Sequence, residues 1–262
     1  MRWVEVNGVS LRYRRTGQGR STIVLLHEIG GTLESYDDVS DLLSGDFDVL
    51  RYDMRGAGLS EKPRIRLVLQ DLVEDLAALM DNQGIEAAVI AGCAIGATVA
   101  LAFAAQYPGR TYSVLAMAPA AGLDAERKPL AILRAQEIEQ TGQRHTIDSR
   151  LNKSYPPELR TDARRFEQLR LRRLGADPFG TGAMLRMLAE LDFRPVLSQV
   201  NVPVLVVAGE MDGDRPVENV KQTADSLKTA RFATLPSGHF MHVHAPEKVA
   251  AFIRSEAAAK GS

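Results

Sequence analysis

The sequence predicts an α/β protein: a mostly parallel β-sheet flanked by helices on both faces, interrupted once by a helical insertion. Three observations carry this. Short apolar, β-branched runs recur along the chain and alternate with helix-length stretches. Several of these runs are apolar throughout, as strands buried on both faces are. Between residues 122 and 194 the alternation stops, and charged, helix-favouring sequence follows, too long for a plain loop. The expected organisation is therefore a core of residues 1–121 and 195–262 with a helical cap at 122–194, inserted after the sixth strand.

Taken in order, residues 3–7 and 11–15 flank Asn7-Gly8, a strong hairpin signal. The run 22–27 is a buried strand ending in Glu28-Ile29-Gly30-Gly31-Thr32, with a helix expected over 34–43. Residues 48–53 are the next strand and lead into a Gly-rich loop at 54–60. Over 67–80, Leu69, Leu72, Val73, Leu76, Leu79 and Met80 fall at helical spacing. A strand over 87–91, an Ala-rich helix over 94–106 and a strand over 113–118 complete the first half. After the insertion come strands at 203–208 and 231–235 and a last helix at 246–258.

Composition narrows the function classes. In 262 residues, 45% are apolar and 25% charged, ordinary for a globular protein. A net charge of −1 gives no electrostatic footprint for nucleic acid or an acidic membrane surface. A single cysteine excludes an internal disulfide and a cysteine-based zinc site. The N-terminal residues have no apolar signal-peptide core, and no stretch is long and apolar enough to span a bilayer. A cytoplasmic setting is the expectation, with a small-molecule substrate as partner and no cofactor or metal.

The stretch 89–100 organises the rest. A β-branched run enters it, an Ala-rich run leaves it, and Cys93 stands among the small residues Gly92, Ala94 and Gly96. Read as G-x-C-x-G, this is the layout of a nucleophile elbow, a strained strand-to-helix turn that holds a reactive side chain over the end of a sheet. A cysteine at a helix N-terminus beside an imidazole is expected to be substantially thiolate near neutrality.

With these residues the chain resembles the α/β-hydrolase superfamily, in its enol-lactonase and esterase-like branch, with Cys93 in place of the usual serine. The resemblance implies a triad. Gly-His in the loop after the last strand, followed by Pro246-Glu247, places His239 as the base. Gly209-Glu210-Met211-Asp212 resembles the acid turn, which makes Asp212 the acid, with Asp214 and Asp124 as competitors. The order nucleophile, acid, histidine is that of the fold. The implied oxyanion-hole donors are the backbone N–H groups of Ala94 and Ile29, and the candidate pocket residues are His27, Glu28, Met117 and Phe240. Glu28 stands where a glycine is usual and is assigned a helix-cap or salt-bridge role; His27 is assigned to orienting its loop. Asp53 and Arg55, in a stretch matching D-x-R-G-x-G-x-S, are expected to pair and brace neighbouring loops. His242 and His244 are read as support or rim residues, since no carboxylate or Cys stands near the H-x-x-H-x-H run to complete a metal site. His145 is read as solvated.

A thiolate exchanges well with activated acyl groups and expels poor leaving groups badly. The expected activity is thus hydrolysis of an activated ester, enol-lactone or thioester of a small anionic substrate through an acyl-cysteine. Acyl transfer by the same intermediate and non-catalytic ligand binding are the alternatives. Ten arginines lie between Arg134 and Arg186; most are expected on solvated helix faces, with one or two turned inward toward a substrate carboxylate.

Overall fold

The computed structural model describes residues 1–62 and 64–258. Its strands are β1 (Arg2–Val6), β2 (Val9–Thr16), β3 (Thr22–Leu26), β4 (Asp48–Tyr52), β5 (Ala88–Cys93), β6 (Thr111–Met117), β7 (Val204–Gly209) and β8 (Ala230–Leu235). They form one sheet in the order β1-β2-β4-β3-β5-β6-β7-β8. The β1–β2 and β2–β4 pairs are antiparallel and the rest are parallel. The β1–β2 hairpin turns through Asn7 and Gly8, both at positive φ, as a two-residue turn between right-twisted strands requires.

The helices are α1 (Asp37–Leu43), α2 (Leu69–Asn82), α3 (Ile95–Gln106), α4 (Arg127–Thr141), α5 (Ile147–Ser154), α6 (Ala163–Leu174), α7 (Pro178–Glu190), α8 (Arg194–Leu197), α9 (Val217–Asp225), α10 (Met241–His244) and α11 (Pro246–Ala258). β5 and β7 are buried at every residue, which is why their sequences carry no alternation. α3 is apolar on all sides and packs on β3, β5 and β6, so its residues from Ile95 to Ala104 are buried. This fixes the start of α3 rigidly against the end of β5.

Between β6 and β7 the described residues form helices α4 to α8 and no strand of the sheet. The two ends of this stretch meet: Gly122 and Asp192 form an isolated antiparallel bridge, and the Phe193 N–H donates to the Ala121 carbonyl at 3.0 Å. α4 packs along α7.

The loop after β4 departs from expectation. Asp53 and Arg55 do not pair. The Asp53 carboxylate accepts from Arg12 Nε at 2.6 Å and from the N–H groups of Leu33 and Leu59. Arg55 reaches instead to Asp75 on α2, with its Nε 2.6 Å from the carboxylate. Each side chain braces a different neighbour of the loop.

Candidate active site

β5 passes into α3 through one residue, Ala94, at φ 53° and ψ −114°. A non-glycine residue held there costs roughly 1–3 kcal/mol. Two glycines make the turn possible. A Cβ on Gly92 would lie 2.3 Å from the Gly96 carbonyl carbon, and one on Gly96 would lie 2.3 Å from the Leu26 oxygen. The two stand symmetrically about Ala94, so the motif as folded is Gly92-Cys93-Ala94-Ile95-Gly96 with Ala94 at its apex.

The elbow reading centred on Cys93 is therefore one residue early. Ala94 faces the cavity over the sheet, while Cys93 is fully buried and its thiol donates to the His239 carbonyl at 3.2 Å. Successive strand residues point to opposite faces, so a shift of one reverses the direction of the side chain. Burial pushes the Cys93 thiol well above its usual range, and the Glu28 and Asp212 charges add to this against Arg173. The expected thiolate does not form in these surroundings. Nor is the Ala94 N–H an oxyanion donor, because it extends the β-ladder to the Met117 carbonyl at 2.9 Å. The N–H that follows the apex belongs to Ile95, the first residue of α3, where a helix has no carbonyl of its own to offer.

The acid and the histidine are brought together. Asp212, in the turn after β7, is buried and its Oδ2 accepts from His239 Nδ1 at 2.7 Å. Its other oxygen accepts the N–H groups of Asp214 and Arg215, both at 2.9 Å, so the carboxylate is held from two sides. His239 lies between β8 and α10, and its own N–H donates to the Ser154 carbonyl at the end of α5. Burial works against an imidazolium here, but the Asp212 carboxylate outweighs it and raises the His239 pKa above the usual 6.5. With Nδ1 donating to Asp212, Nε2 is the free basic nitrogen. The competing acids do other work: Asp124 caps α4 through the Arg127 N–H, and Asp214 lies on the cavity rim.

The loop after β3 carries Ile29, whose N–H is the second donor expected from sequence and which lines the cavity. His27 is locked to backbone at both ring nitrogens: Nδ1 donates to the Glu28 carbonyl and Nε2 accepts from the Met54 N–H. Glu28 is buried and accepts from His242 Nε2 at 3.1 Å. Burial opposes its ionisation, yet His242, Arg173 and His27 together hold its pKa well below the usual carboxylate range. His242 stacks on Tyr36 at 4.4 Å. Arg173, from α6, lies 3.6 Å from Glu28, donates to the Ile29 carbonyl at 3.1 Å and sits over the Phe240 ring at 4.4 Å. One inserted helix thus ties the Ile29 loop to the histidine loop. Tyr36 was not foreseen from sequence, and nothing local in its surroundings marks it.

These groups open on a cavity of about 670 Å³. Ala94, Ile95, Glu28, Ile29, His239 and Phe240 line its floor; α4, α5 and α7 close over it with Arg134, Arg150 and Leu185 among others. His27 and Met117, expected in the pocket, are fully buried and do not line it, since the first holds the loop and the second ends β6 under the elbow. His244 donates to or accepts from Ser237 at 3.0 Å, and His145 is exposed. Among the described residues no cluster of His, Cys, Asp and Glu could hold a metal ion, and no helix is long and apolar enough to cross a membrane.

A mostly parallel eight-stranded sheet, with a strained elbow at the end of β5 and a histidine–aspartate pair beside it, defines an α/β-hydrolase. Within that class the chain belongs to the serine aminopeptidase, S33 family, which it matches over residues 17–244. It is 25% identical over 241 residues to 3-oxoadipate enol-lactonase 2 of Acinetobacter baylyi, covering 91% of this chain and 90% of that protein. It is 26% identical to 2-(acetamidomethylene)succinate hydrolase of Mesorhizobium japonicum, covering 80% of this chain and 77% of that one. Among solved structures it resembles the enol-lactonase from Burkholderia xenovorans, with a TM-score of 0.91 at 25% identity, over 98% of this chain and 100% of that one.

Proposed function

We propose that this protein hydrolyses a small ester or lactone with a water molecule activated directly by His239, without an acyl-enzyme. One observation carries the reading: Ala94 holds the apex of the elbow while the His239–Asp212 pair faces the same cavity intact. A methyl group stands where the family's nucleophile is presented, so the basic Nε2 has no side-chain hydroxyl to deprotonate.

The steps follow from the donors available. His239 Nε2 takes a proton from water as its oxygen attacks the carbonyl carbon. Asp212 stabilises the imidazolium and keeps Nδ1 protonated. The N–H groups of Ile29 and Ile95 stabilise the oxyanion, helped by the positive end of α3. The adduct then collapses, the bond to the leaving oxygen breaks, and His239 returns its proton to that oxygen. An enol or lactone oxygen leaves readily, which suits a site that must do without covalent catalysis. In this reading residues 122–194 act as a cap that excludes bulk water and supplies Arg173.

The similarity to enol-lactonases and a succinate hydrolase supports ester, lactone or related substrates. The acyl-cysteine route is disfavoured by the buried, protonated state of Cys93, and acyl transfer through that intermediate falls with it. Ligand binding without turnover is the second reading, favoured by the same alanine. A panel of activated esters and enol-lactones decides among these. Turnover that is lost in His239→Ala, with the protein mass unchanged when quenched during the reaction, is the expected result. An acyl adduct on Cys93 would refute the proposal, and no turnover on any substrate would favour binding alone.

A further inference from the structure

Several arginines of the inserted helices are paired. Arg165 binds Asp38, Arg170 binds Asp148 and Arg186 binds Glu139. The cavity wall is different. Six cationic side chains line the cavity against three anionic ones, Glu28, Glu137 and Asp214. Of the six, Arg173 is committed to Glu28 and Ile29, Arg127 reaches the Asp214 carbonyl at 3.4 Å, and Lys153 is exposed. Arg134 on α4, Arg150 on α5 and Arg215 in the turn after Asp212 have no ion pair and no side-chain hydrogen bond among the described residues. The buried Nε atoms of Arg134 and Arg150 have no partner.

We propose that Arg134 and Arg150 form a recognition site for a doubly charged oxyanion, a phosphate monoester or a pair of carboxylates, at the end of the substrate away from the scissile bond. Calling the ligand a substrate rests on the hydrolytic reading above; the anion site itself does not. Guanidinia present several donors in a planar fork that matches carboxylate and phosphate oxygens. Two from separate helices lining one cavity bind an extended anion more selectively than one arginine at a rim. Burial lowers the pKa of Arg134 to about 9, with repulsion from Arg150 and Arg173 adding to it. Burial likewise lowers Arg150 and Arg215. Arg134 is held against repulsion from Arg150 and Arg173, which a dianion offsets and a monoanion offsets only in part. The floor carries no such excess of positive charge, since its buried Glu28 carboxylate lies against Arg173 and His242. That polarity orients a ligand with its anionic end on the arginine wall and its carbonyl toward Ala94.

Calorimetric titration of the full chain with inorganic phosphate, malonate and acetate tests this. Phosphate or malonate is expected to bind at least about tenfold more tightly than acetate, a gap of one decade in Kd. Arg134→Gln and Arg150→Gln should each lose about that factor for the dianion, while Arg144→Gln, an exposed arginine outside the cavity, keeps it. Preference for phosphate over malonate assigns a phosphate monoester, and the reverse assigns a dicarboxylate. Equal binding of all three probes by the parent protein, or equal loss in Arg144→Gln, overturns the proposal; the parent comparison holds even where a variant folds poorly. Failure of the hydrolytic reading is seen separately: neutral esters are not turned over, or are turned over equally by His239→Ala, while phosphate and malonate binding stays in place.

Discussion

Replacing Ala94 with serine should convert a water-using site into one that forms an acyl-enzyme. The backbone is already at the elbow angles, and the side chain of residue 94 faces the cavity, so the added hydroxyl needs no rearrangement of β5 or α3. Its neighbours are in place: the His239–Asp212 bond at 2.7 Å orients the base, and the Ile95 N–H follows the apex. In enzymes with a full triad, deleting the nucleophile costs about a million-fold in kcat, or ~8 kcal/mol. General-base activation of water recovers about 100-fold to 10,000-fold of that. The remaining gap, about 100-fold to 10,000-fold or ~3–5 kcal/mol, is what Ala94→Ser should add to the acylation step. Stopped-flow mixing with p-nitrophenyl acetate should show a burst of one nitrophenolate per variant molecule, with a matching acyl mass on the quenched protein. A fluorophosphonate should label the variant and leave the parent untouched. A folded Ala94→Ser protein with neither burst nor label would show that residue 94 is not presented to His239, and the placement of the apex would be wrong.

Two further outcomes follow from the same geometry. Iodoacetamide should label Cys93 far more slowly in the native protein than in urea, and Cys93→Ala should keep its turnover while losing ~1–2 kcal/mol of stability from the lost packing and hydrogen bond; rapid native labelling that removes activity would restore the cysteine as nucleophile. In the parent, kcat/KM should rise with pH through a midpoint above 6.5, because His239 acts as a neutral base and Asp212 raises its pKa. Asp212→Asn should cut kcat by about 100-fold and move that midpoint down, since burial then acts on the imidazole without its counter-charge; an unshifted profile would separate Asp212 from the base.

The centre of the sheet was legible because its inner strands are buried on both faces and therefore carry unbroken apolar runs, as at 204–209 and 88–93. The acid turn was legible for a related reason, since it follows the fully buried β7 directly; the histidine loop follows the partly exposed edge strand β8 and was legible from its Gly-His pair and the Pro246-Glu247 helix start. The pairings of long side chains were not. Arg55 meets Asp75 rather than Asp53, and Arg173 meets Glu28 and Ile29 from far along the chain. Nothing local in the sequence encodes which of several carboxylates lies within reach once the helices have packed. The apex of the elbow was legible and was misplaced by one residue. Cys93 drew the assignment by its reactivity, whereas the spacing of Gly92 and Gly96, four apart with Ala94 midway, carried the geometric information.

That spacing has a consequence for the chemistry. An elbow with alanine at its apex bears a strain of roughly 1–3 kcal/mol without presenting a reactive atom. Glycine at 94 would relieve much of it, because the angles of Ala94 are open to a residue lacking Cβ. The strained turn does something else as well: it ends the ladder at the Met117 carbonyl and starts α3 with the Ile95 N–H directed past the apex. On the proposed reading this donor, its partner at Ile29 and the dipole of α3 are what the turn holds in position. A site with base, oxyanion donors and binding wall but no nucleophile side chain still accelerates acyl hydrolysis by roughly a thousand-fold to ten-thousand-fold over water. For a substrate with a good leaving oxygen that is enough for turnover, and on the proposed reading its anionic end, held by Arg134 and Arg150, sets which substrate gains it.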